Sequence, residues 1–140
     1  MKHQDAEAFA VAIPVRMTKR KRLTHWAELV RGYYPGDLTL FHGLEYLRPC
    51  ELDRIRVLNV LATSAFTLAV ADSTFNAQGL SRQSTLLDVM GFFELTQGEL
   101  HEFSCDCGGY ISNPEQADRI ERLAHFSDAS QKVKMRNVLR

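Results

Sequence analysis

Few signatures of familiar chemistry occur in this chain of 140 residues. It holds no glycine-rich phosphate loop, no G-x-S-x-G elbow, no C-x2-C pair and no H-E-x-x-H helix, which removes the enzyme classes those spacings identify. Cysteine is scarce. Three residues, an odd number without framework spacing, argue for free thiols and against a disulfide scaffold. Long apolar runs are missing too: the longest uncharged stretch, Val57 to Ala71, has fifteen residues and is interrupted by Asn59, Thr63, Ser64 and Thr67. That falls short of the roughly 18 consecutive apolar residues of a membrane-spanning helix, so no membrane partner is expected. The opening residues MKHQDAEAFAVAIPV carry Asp5 and Glu7 and lack the apolar centre of a secretory signal. A cytoplasmic location is therefore the expectation.

Net charge is also absent, but the zero conceals an asymmetry. Residues 1–34 carry +4, residues 35–130 carry −8 and the last ten carry +4. Basic ends of this kind either fold back on the acidic body, stay solvated, or engage a polyanion.

What the sequence does have is helical periodicity. A hydrophobic content of 45% over this length suits one domain with its own core. In TKRKRLTHWAELVRG, Leu23, Trp26, Ala27 and Val30 fall at i, i+3, i+4 and i+7, with Gly32 as the stop. The YYPGD segment reads as a turn, and residues 38–48 fit either a short helix or the start of a strand. Pro49 opens what the pattern predicts to be a long central helix to Ala71, buried through Leu52, Ile55, Leu58, Leu61, Ala65, Leu68 and Ala69. A turn-rich connector over 72–83 has room for one helical turn closed by Gly79. Ser84 is the predicted cap of a helix burying Leu86, Leu87, Met90 and Phe93, and Thr96 with Glu99 forms a capping box for the next.

Asn113 and Pro114 start a further helix that buries Ala117, Ile120 and Ala124 and sets Glu115 with Arg119 and Asp118 with Arg122 on its wet side. The expected fold is all-α, a compact orthogonal or up-down bundle of five to six helices around a buried central helix at about 50–71. The expected organisation is a loosely docked segment 1–14, a single domain 15–127 and a basic tail or short helix 128–140.

Four sets of residues could carry function. His101, Cys105 and Cys107 form H-x3-C-x-C, a donor set suited to zinc. His101 and Cys105 lie one turn apart, whereas Cys107 shares a face with Leu100 and Phe103 if the helix continues. The motif then reads as a buried thiol followed by the Gly108-Gly109 stop, and a zinc site further lacks a fourth ligand at standard spacing. Lys19, Arg20, Lys21 and Arg22 close a segment of five basic residues in seven, which with the basic tail could line phosphates, although the acidic body disfavours it. Asn59, Thr63 and Thr67, spaced i, i+4 and i+8, form a polar stripe that could line a pocket on the central helix. His42 with Glu45 or Glu51 could act as an acid/base pair, while His25 beside Glu28 reads as a wet surface position. No catalytic constellation emerges, no cofactor is expected beyond the zinc alternative, and the favoured expectation is a regulatory or protein-interaction module acting through a protein partner or a homo-oligomer.

Overall fold

A computed structural model describes residues 15–38, 46–60, 63–104 and 111–138, with side chains described throughout these except at 59, 60, 101–104 and 126–138. The described residues form an all-α structure: α1 Lys19–Arg31, α2 Pro49–Leu52, α3 Val57–Val60, α4 Ala65–Ala71, α5 Ser73–Ala77, α6 Leu86–Phe92, α7 Gln97–Ser104 and α8 Asn113–Val138.

The local signals of α1 act as the sequence implies. Thr18 is extended and its hydroxyl accepts the Lys21 N–H, while Gly32 closes the helix. Leu23, Trp26, Ala27 and Val30 are fully buried. The helix packs along α8, and its Arg31 reaches Asp118 at 3.0 Å and Glu121 at 2.7 Å. The C-terminal end of α1 therefore meets the N-terminal part of α8, and the two helices run antiparallel.

The predicted central helix over about 50–71 does not form; three short helices, α2, α3 and α4, take its place. Two competing sets of hydrogen bonds break it. After Leu52 the chain turns and extends, so that Leu86 N–H donates to the Ile55 carbonyl at 2.9 Å and Val57 N–H to the Ser84 carbonyl at 3.1 Å. These bonds flank an antiparallel bridge between Arg56 and Thr85 and supply partners that a continuous helix would have to provide itself. Farther on, Ser64 adopts φ −146°, ψ 175°, and forms a reciprocal box with Thr67: the Thr67 N–H donates to the serine hydroxyl, and the Ser64 N–H to the threonine hydroxyl. Helical spacing on both sides of such breaks is preserved, which is why periodicity alone bridges them.

Asp72 ends α4 and caps α5, accepting the Phe75 N–H at 3.0 Å. The expected helical turn before Gly79 is α5, and Gly79 takes φ 109°, a conformation open to glycine. Ser84 is not the cap of α6. Thr85 fills that role in a box with Asp88, because the Ser84 carbonyl is held in the bridge and its hydroxyl accepts the Ser81 N–H. The Thr96 and Glu99 box forms as read, at 3.0 and 3.1 Å.

The core gathers where α1, α4, α5 and α6 meet. Trp26 stacks on Phe93 at 4.2 Å and 9° and donates its indole N–H to the Ala65 carbonyl. Phe75 meets Phe92 and Phe93 edge-on. Such offset and edge contacts add to the area these rings bury. On α8, Ala117, Ile120 and Ala124 are buried and Glu115 pairs with Arg119, but Arg122 also turns to Glu115 while Asp118 serves Arg31. The helix continues through 128–138 as one element with what precedes it.

Candidate functional site: the clamped Tyr34 turn

The basic segment is partly spent inside the molecule. Arg22 is buried, its guanidinium 3.9 Å above the Phe92 ring, with Nη1 donating to the Phe92 carbonyl at 2.7 Å and Nη2 to Gln78. Burial and, next, the charge of Arg16 lower its pKa, while Glu94 acts in the opposite sense. Arg22 is therefore not a residue that reaches solvent phosphates. Lys19 pairs with Glu99 at 3.3 Å. Arg20 and Lys21 are exposed.

The polar stripe loses its geometry with the central helix. Asn59 lies on α3, Thr63 sits exposed in a bend, and the Thr67 hydroxyl is used in the Ser64 box. The spacing that would aim all three residues into one pocket is absent. His101 belongs to α7, but its side chain and all of Cys105 and Cys107 lie outside the described residues, as do His42 and Glu45. Among the described residues no three His, Cys, Asp or Glu side chains are grouped to hold a metal ion. Cys50 is an exposed free thiol at the start of α2.

His25 is not merely wet. Its Nε2 lies 2.9 Å from Asp72 Oδ2 and its ring meets the edge of Phe75 at 4.8 Å. The pair ties α1 to the junction of α4 and α5, since the same Asp72 oxygen caps α5. The sequence places Glu28, not Asp72, beside this histidine, so the pairing is purely tertiary.

The arrangement that stands apart is the turn after α1. Tyr33 packs against the core, whereas Tyr34 is 88% exposed. The Tyr34–Pro35 peptide is cis and Gly36 takes φ 98°, a region glycine enters without steric cost. Beneath this turn sit two buried amides of α8. Asn113 donates to the Gly36 carbonyl at 3.0 Å and accepts the Leu38 N–H at 2.8 Å, so its carboxamide bridges the turn. Gln116, with no exposed surface, donates to the carbonyls of Leu38 and Ile111. Its Oε1 has no hydrogen-bond partner. Both groups facing Nε2 are acceptors, so reversing the amide would set its oxygen against two carbonyls and lose both bonds.

Asn113 is thus a clamp and not the helix cap. Capping falls to Ser112, whose hydroxyl accepts the Glu115 N–H at 3.3 Å. The signal was present: Ser112 and Glu115 stand at capping-box spacing, which leaves the Asn113 side chain free for another use. Together the clamps hold a tyrosine outward on a backbone fixed from inside.

In comparisons with known proteins, no family model, no curated protein and no solved structure matches the chain.

Proposed function

We propose that the protein is a small helical protein-interaction module whose contact residue is Tyr34, inserted into an apolar slot on a protein partner. The observation that carries this reading is the 88% exposure of Tyr34 on a turn bridged from beneath by Asn113. Tyrosine supplies a large amphipathic contact surface with little side-chain entropy to lose, and is enriched among residues that dominate interfaces. A turn already fixed by buried hydrogen bonds also spares the ordering cost that a mobile loop would pay on binding. The exposed free thiol of Cys50 accords with a thiol-reducing, cytoplasmic setting.

Photocrosslinking tests the proposal. A photoreactive amino acid at position 34 should give a discrete protein adduct that added wild-type protein suppresses and added Tyr34→Ala protein does not. Asn113→Ala, which keeps the tyrosine but releases the turn, should also compete poorly, while circular dichroism shows the helices retained. An adduct no different from that obtained at Arg82, an exposed position in another turn, would overturn the reading. Sedimentation at several concentrations then tells a second copy from a foreign partner.

A further inference from the structure

Two basic stretches more than a hundred residues apart in the sequence, the start of α1 and the last turns of α8, are brought to the same level of the helix pair. Arg31 sets the register of α1 against α8 through Asp118 and Glu121, and the two helices pack antiparallel. Twelve residues back from Arg31, about 18 Å at the rise of a helix, lies Lys19. The same rise forward from Asp118 and Glu121 reaches residues 130 and 133. The first turn of α1, with Arg16 just before it, therefore stands level with the last turns of α8, which contain Lys132, Lys134 and Arg136.

From this convergence we infer that the protein has a second contact surface, a basic pole built from Arg16, Lys21, Lys132, Lys134 and Arg136, that engages a nucleic-acid phosphate backbone. It is independent of the Tyr34 turn, which lies at the opposite end of α1.

Three features favour this partner. The first turn of α1 carries four cations and no acid, the charge sign that a helix N-terminus disfavours. Glu99 and the Phe92 carbonyl account for Lys19 and Arg22, whereas Arg16 and Lys21 remain exposed cations. Next, the charges are spread over two elements. A distributed set of this kind suits an extended polyanion read by its backbone better than a compact acidic ligand. Finally, the middle of the chain carries −8 against the +8 of its ends, so a polyanion is repelled elsewhere and approaches by this pole. Acids also border this pole: Glu94 acts on Arg22 from the end of α6, Glu99 of α7 pairs with Lys19, and Asp128 precedes the basic turns of α8. Val15 is the one large exposed apolar side chain in the α1 arm, too little apolar area for a bilayer-inserting face.

The test measures fluorescence anisotropy of labelled single-stranded DNA, single-stranded RNA and duplex DNA of random sequence, titrated with the full chain between about 50 and 200 mM salt. All three should bind, with affinity falling steeply as salt rises. On duplex DNA, Arg16→Gln with Lys21→Gln should lower the log–log salt slope by about 1.8, and Lys132→Gln, Lys134→Gln and Arg136→Gln together by about 2.7. Arg82→Gln, a cation in the turn before α6, should leave it unchanged, and Trp26 emission confirms that each variant is folded. Absence of binding at the lowest salt, a slope indifferent to the α8 triple variant, or tighter retention on anionic phospholipid vesicles than on any oligonucleotide would overturn the inference.

Discussion

Glu94 is the residue whose backbone most plainly works against its side chain. It takes φ 54° at the end of α6, where the Leu95 N–H reaches the Met90 carbonyl and the Glu94 N–H the Gly91 carbonyl. That is the paired-bond helix ending usually given to glycine. A side chain in this left-handed region costs about 1–2 kcal/mol, and glycine's extra freedom in the unfolded chain returns about 0.5–1 of that. Glu94→Gly should therefore raise stability by up to about 1 kcal/mol, read as a higher urea midpoint at unchanged slope. The gain is limited because Glu94 also supports the charge of Arg22. A midpoint that falls would show that this charge outweighs the backbone. Residues of this kind are where sequence reading is weakest. Arg22 and His25 sit on a helix whose apolar stripe is plain, yet their partners Phe92 and Asp72 come from elements 70 and 47 residues away, and nothing local distinguishes them from wet neighbours.

At the scale of elements, the stretch from Pro49 to Ala71 shows how short-range hydrogen bonds override a long apolar pattern. The Ser64 box is buried, with Ser64 only 1% exposed. Ser64→Ala should cost about 1–2 kcal/mol, since it removes a cap and strands the Thr67 N–H in a place water does not reach. Thermal unfolding followed at 222 nm measures it; a loss below a few tenths of a kcal/mol would mean that the hydroxyl is not what starts α4. The S-x-x-T spacing at Ser64 was legible in principle. It was overshadowed by seven apolar positions in helical register, a pattern that does not report whether the backbone is continuous; with the helix broken, Leu58, expected in the buried face, is 38% exposed. The Thr96 and Glu99 box is legible for the converse reason: its partners lie within one turn.

For the molecule as a whole, the decisive feature is one core shared by helices from both halves of the chain. A single cluster runs from Leu23 and Trp26 of α1 through Phe66, Phe75 and Phe93 to Ile120 and Leu123 of α8. The described elements share this continuous core, so they should unfold as one unit. Trp26, the single tryptophan, has no exposed surface. Its emission should be blue-shifted and insensitive to iodide in the native protein, and its transition in denaturant should coincide with that of the helical ellipticity. Separate midpoints would show that α8 or the α2–α3 region opens independently.

The sequence alone determined the all-α class, the bounds of α1, the buried face of α8 and the cap of α7, all set by residues within about one or two helical turns of each other. Only the tertiary structure decided that the long apolar stretch breaks at two points, that Arg22 is interior, that Asn113 clamps a turn 77 residues earlier and that the first turn of α1 lies level with the last turns of α8. Propensity, capping and periodicity are local properties and can be read along the chain. Whether a polar group is buried, and which distant backbone satisfies it, depends on which elements meet.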